Sequence, residues 1–89
     1  MKKETLKKTV SDGVSRGLNF LVVKIETEGS EKPEIIINPA ENVASKMAYY
    51  DKTYNEDLEL IRAKESGKLI RITDALMTSN LKDIAWFVY

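Results

Sequence analysis

Near the start of the chain, Leu6, Val10, Val14 and Leu18 recur every fourth position. That spacing predicts a helix from Glu4 to Leu18, because residues four apart stack on one side of a helix. The stripe is narrow. Gly13 interrupts it, at a cost of about 1 kcal/mol relative to alanine, and Gly17 supplies a stop. Residues 1–4 are expected to fray. The pattern then changes period. NFLVVKIET is β-branched and aromatic, with Leu21, Val23 and Ile25 on one face and Lys24 and Glu26 on the other, which predicts a strand. EGSEKP is a polar turn, and EIIIN returns as a second strand, completing a hairpin. Its three consecutive isoleucines imply that both faces are at least partly covered.

A helix follows. Asn38 fits an N-cap, Pro39 the first helical position and Glu41 the third, a capping-box spacing. Behind them Ala40, Val43, Met47, Tyr50 and Tyr54 form one apolar face. Tyr49 lies roughly 100° around the helix from Tyr50 and so points toward the boundary or solvent. LELIRAKESGKLIRITDAL reads as a second hairpin. Leu58, Leu60 and Arg62 alternate with Glu59, Ile61 and Ala63, Ser66-Gly67 turns, and Leu69–Thr73 returns. A helix through Asn55–Ser66 is the competing reading over so short a span. At the end, Ser79 or Asn80 caps a helix with Leu81, Ile84, Ala85 and Val88 on one side, against a terminal strand IAWFVY. The order α-β-β-α-β-β-α predicts one α+β domain over residues 1–89. Its antiparallel sheet has about four strands in two hairpins, packed with two to three helices.

With 89 residues the chain is one small domain, expected to be stable by about 4–13 kcal/mol. It contains no cysteine and no histidine, so disulfides, thiolate zinc sites and the commonest general base are all excluded. No apolar run reaches the length of a signal peptide or membrane span, and the expected setting is cytoplasmic. Acidic and basic residues number 14 each, so no overall field points to a polyanion. The charges are nonetheless polarised. Residues 1–18 hold Lys2, Lys3, Lys7, Lys8 and Arg16 against Glu4 and Asp12, while residues 19–57 are acidic.

Candidate chemistry is sparse. Ser79 and Lys82 match an S-x-x-K spacing, but a capping serine explains the same residues. Gly13 and Gly17 form neither a phosphate loop nor a dinucleotide fingerprint, and no cofactor is implied. Asp51, Glu56 and Asp57 cluster near the end of the long helix, yet without the converging loop ligands a hard cation needs. Lys2, Lys3, Lys7 and Lys8 are candidate phosphate contacts, which makes nucleic-acid association the alternative reading. The favoured reading is protein binding or self-association. Tyr49 is its first contact candidate, because exposed aromatics are enriched at hot spots. Trp86 and Phe87 are the others, since a helix carrying them beside Ile84, Ala85 and Val88 has almost no polar side.

The segment NPAENVASKMAYYDKTYNEDLEL, Asn38–Leu60, resembles small uncharacterised proteins of Gram-positive prophages and conjugative elements. The matching features are the NP-x-EN start, Lys46, the Tyr49-Tyr50 pair and the run Tyr54-Asn55-Glu56-Asp57-Leu58. The resemblance implies an accessory protein of a mobile element in a bacterial cytoplasm and assigns no functional residue.

Overall fold

In the computed structural model, which describes residues 1–88 but not the side chain of Val88, the expected α+β class is present. The chain forms α1 (Lys3–Ser15), β1 (Phe20–Thr27), β2 (Glu34–Pro39), a 3-10 turn at Ala40–Asn42, α2 (Val43–Thr53), α3 (Ile61–Glu65), β3 (Ile70–Thr78) and α4 (Leu81–Val88). Expectations for Tyr89 and for the facing of Val88 lie outside the described residues.

The sheet is antiparallel, but it has three strands in the order β2-β1-β3, not four. The first hairpin forms as predicted, with Val23 opposite Ile36 and Ile25 opposite Glu34. The second does not. Glu59 and Leu60 make only single bridges, to Arg71 and Tyr54, and Ile61–Glu65 winds into a short helix. Leu58 is the reason. Its φ of 57° is left-handed, which no extended run can contain, and the bend drives its side chain to complete burial. Beyond it Arg62, Ala63, Lys64 and Glu65 are good helix formers with no cross-strand partner to hold them extended. The Ser66-Gly67 turn survives, with Gly67 at φ 80°.

β1 is central and buries both faces. Leu21, Val23 and Ile25 join Ile72, Met77, Val43, Tyr50, Tyr54, Leu58, Leu6 and Val10 in the main core, under α1 and α2. On the opposite face Val22 is fully buried, and α4 lies across it, with the Lys24 ammonium 5.1 Å from the centre of the Phe87 ring. Ile84 is the inward residue of α4. The helix is capped by Asn80, whose Oδ1 accepts the Lys82 N–H at 2.9 Å. Ser79 instead accepts the Asn19 N–H, so the two strand ends are tied together there.

One helix start and one helix face differ from expectation. Asn38 and Pro39 remain in β2, opposite Leu21 and Phe20, and α2 begins only at Val43, after the 3-10 turn. No side chain caps it. The inward face is otherwise as read: Val43, Tyr50 and Tyr54 are buried and Met47 packs against them, though Ala40 is exposed. In α1 the four-residue stripe drifts about 40° per step, since a turn is 3.6 residues. Val14 has rotated out and is 57% exposed; the inward row is Lys3, Leu6, Val10 and Gly13. Gly13 rests against Met77 of β3 so closely that no side chain fits between them.

Candidate functional site

The basic start of the chain and its acidic middle meet each other. Lys3 is buried. Its Nζ donates to the Asp51 carbonyl at 2.9 Å and lies 3.5 Å from Asp51 Oδ1, while its backbone N–H donates to the Glu56 carbonyl at 2.9 Å. Lys7 pairs with Asp51 at 3.1 Å, Lys2 pairs with Asp57, and Lys8 pairs with Glu4 one turn away at 3.5 Å. The first turn, expected to fray, is thus clasped to the 51–57 segment. Each of the four lysines weighed as a phosphate contact already faces a carboxylate. Exposed pairs of this kind add little stability singly. Lys3 differs because its charge is out of water and hydrogen-bonded.

That segment is shaped by Asn55. Its Oδ1 accepts the N–H groups of Asp57 and Glu59, each at 3.0 Å, and its Nδ2 donates to Glu59 Oε1. One side chain therefore satisfies both sides of the bend and holds Leu58 in its left-handed turn. The Asp51, Glu56 and Asp57 carboxylates face lysines, and among the described residues no three His, Cys, Asp or Glu side chains converge as a metal site would require.

Tyr49 is half-exposed, at 52%, on the outer side of α2. It lines a cleft of about 490 Å³ between α2 and α3, with Lys52, Thr53, Leu60, Ile61, Arg62 and Glu65. The ring is held from behind. Tyr50 meets it edge-on at 5.9 Å, Tyr54 meets Tyr50 edge-on at 5.7 Å, and the Lys46 ammonium sits 5.4 Å from the Tyr49 centroid. Ile61, 40% exposed, forms the facing wall. Alternation places Ile61 with Glu59 and Ala63 on one face of a strand, which does not bring it to Tyr49; the cleft follows only once Ile61–Glu65 is helical.

Trp86 is 81% exposed on α4, whereas Phe87 is partly buried and carries Lys24 on its face. The three aromatic candidates therefore do not form one surface. Tyr49 is on a helix covering the main core, and Trp86 is on the helix covering the other side of the sheet.

Protonation equilibria point the same way throughout. Hydrogen bonds and charge from Lys7, with Lys3 behind it, hold Asp51 below the usual carboxylate range. Lys2 does the same for Asp57, and Lys64 with Asn55 for Glu59. Lys2 and Lys64 are raised in return by Asp57 and Glu59. Burial raises Tyr50, and raises Tyr54 to about 12. Asn38 lies near enough to oppose the Tyr50 shift, yet no hydrogen bond joins them: the Tyr50 hydroxyl and Asn38 Nδ2 are both buried without a partner among the described residues. Each of these shifts moves a group away from neutrality, opposite to what acid–base catalysis near pH 7 requires.

No protein-family model matches the chain, and neither a curated protein nor a solved structure is significantly similar to it. Among the described residues no helix is long and apolar enough to cross a membrane.

Proposed function

We propose that the chain is a non-enzymatic protein-binding module whose contact surface is the cleft between α2 and α3. The observation that carries this reading is Tyr49, an exposed aromatic on the cleft wall, opposite Ile61 and braced by Tyr50 and Lys46. A ring already fixed in place loses little freedom on binding. Its apolar neighbours Leu60 and Ile61 are rimmed by Lys52, Arg62 and Glu65, the centre-and-rim arrangement of protein interfaces. Two cations against one acid on that rim favour a partner segment with an apolar anchor and an acidic flank. The resemblance of Asn38–Leu60 supplies the setting: an accessory protein of a bacterial prophage or mobile element, acting in the cytoplasm. Nucleic-acid association through Lys2, Lys3, Lys7 and Lys8 has less support, because each is engaged by a carboxylate.

A photo-crosslinking residue placed at position 49 or 61 tests the reading in bacterial cytosol. The expected result is one shared protein adduct at both positions, absent with the crosslinker at Lys32, and weakened binding of that protein by Tyr49→Ala. Adducts at neither position with a folded chain would refute it. Mobility shifts on DNA at two salt concentrations address the alternative, since phosphate binding must fall steeply with salt.

A further inference from the structure

The two edges of the sheet are treated differently by the rest of the chain. In an antiparallel ladder, alternate residues turn both backbone groups toward one neighbour or the other. Ala40 donates to the Asn19 carbonyl, which fixes the parity of the β1–β2 pair: even-numbered residues of β2 face β1, and Ile35, Ile37 and Pro39 face outward. On β3 three of the outward groups are occupied. Ile72 N–H donates to the Leu58 carbonyl, the Ile70 carbonyl accepts from Leu60, and the Ala75 N–H is taken by the Asp74 carboxylate at 2.8 Å. On β2 nothing comparable occurs. Among the described residues the Ile35 and Ile37 N–H groups have no hydrogen-bond partner, and no bulge interrupts the strand beside them. An open, isoleucine-rich edge is a template for another strand.

The sequence of this edge says which strand. Pro33-Glu34-Ile35-Ile36-Ile37-Asn38-Pro39 is nearly symmetric about Ile36. Pro39 falls on an outward position of β2 and Pro33 immediately precedes the strand, so at either end the missing N–H stops further pairing. Only Ile35 and Ile37 remain as donors. A second copy laid antiparallel, with the two-fold axis at Ile36, places Ile35 of each protomer opposite Ile37 of its partner. Each of those two pairs exchanges both of its bonds. The same register sets Glu34 against Asn38, so the one charge on the strand avoids its own image. Ile37, 49% exposed, and the half-buried Ile35 then join their counterparts on one face, and Ile36 meets Ile36 on the other. Closed two-fold association of this type needs a self-complementary patch, and a palindromic strand is one.

We infer that β2 pairs with β2 of a second copy, joining two three-stranded sheets into one of six strands through hydrogen bonds between Ile35 and Ile37. The contact is distinct from the Tyr49 cleft, so Tyr49→Ala leaves it unchanged and its loss leaves cleft binding intact. It is small, and self-association in the micromolar range or weaker is expected for an interface below about 1,200 Å².

Sedimentation equilibrium over a wide concentration range, with amide hydrogen exchange on the same samples, tests this. The wild-type chain should pass from monomer to dimer, and the Ile35 and Ile37 amides should gain protection in step. The Ile36 amide, already bonded to β1, should be protected at every concentration. Ile37→Pro removes one donor from each protomer and should weaken the dimer by about tenfold or more, with far-UV circular dichroism unchanged because Pro39 already occupies an equivalent outward position. A chain that stays monomeric at millimolar concentration, leaving the edge to another protein's strand, overturns the inference. So does a dimer in which those two amides exchange freely, and the exchange measurement on the wild type decides the matter even if the proline variant does not fold.

Discussion

Replacing Gly13 with alanine sets two opposed effects against each other. Alanine is the better helix former by about 1 kcal/mol, so on the sequence alone Gly13→Ala stabilises α1. In the fold the added Cβ would stand 2.3 Å from Met77 Cβ and 2.4 Å from its Cγ, where carbon atoms at rest are about 3.5–4.0 Å apart. Rotating Met77 about χ1 moves Cγ but not Cβ, and Cβ is fixed by a strand paired to β1 at Leu21. Relief must come from lifting α1 off the sheet, which loosens Leu6 and Val10 as well. Overpacking of this sort costs about 1–3 kcal/mol, sometimes more, and a contact against a backbone-fixed atom belongs at the upper end. Net destabilisation of about 2 kcal/mol follows after the helix gain is subtracted. For a domain of this size that lowers the Tm by about 8–16 °C. Thermal and urea unfolding followed by circular dichroism measure it, with an unchanged m-value expected. Val14→Ala, on the exposed side of the same helix, is the control and should stay within about 0.5 kcal/mol of the parent. A Gly13→Ala chain as stable as the parent, or more so, would show that α1 does not approach β3 so closely.

Asn55→Ala removes the acceptor for two backbone N–H groups and should cost about 1–3 kcal/mol, with faster amide exchange at Asp57 and Glu59 as its local mark. At alkaline pH, Tyr54 has a folded pKa of about 12 against an ordinary 10.0, so the stability it contributes is complete below pH 10 and is lost as the pH rises toward 12. Unfolding titrations over that window, beside tyrosinate absorbance, should show the loss, and Tyr54→Phe should reduce it. At acid pH the sign reverses: Asp51 and Asp57 are held below 3.8, so their contribution is present above that value and disappears as the pH falls through their folded pKa values. Lys2→Gln with Lys7→Gln should flatten that acid limb.

The parts of this fold legible in the sequence are those set by local period. The β1–β2 hairpin, the inward face of α2 and the cap of α4 follow from alternation, helical spacing and a capping residue. What was hidden depended on contacts between distant segments. The inward row of α1 includes Lys3 and Gly13, which a hydrophobic pattern does not count, and they belong there only because Asp51 and Met77 lie opposite. The Leu58 bend reads as part of an alternating strand until the side chain of Asn55 is seen to satisfy both sides of it. Lys2, Lys3 and Lys7 look free for phosphate as long as residues 51–57 are considered separately. For the candidate site, the exposure of Tyr49 was readable from its angle to Tyr50, whereas the cleft beside it required α3, which periodicity over five residues cannot distinguish from a strand.

The seating of α1 on β3 bears on how the molecule is born. Translation delivers α1 first, but its resting place emerges only after most of the remaining chain has left the ribosome. The hairpin can close early, yet one side of its central strand must wait uncovered for β3. Completion is therefore vectorial in the wrong direction, the earliest helix docking almost last. A synthesis pause upstream of Ile70 would prolong the exposure of that sticky intermediate, and chaperone demand should track translation speed through the 60s more closely than it tracks the stability of the finished domain.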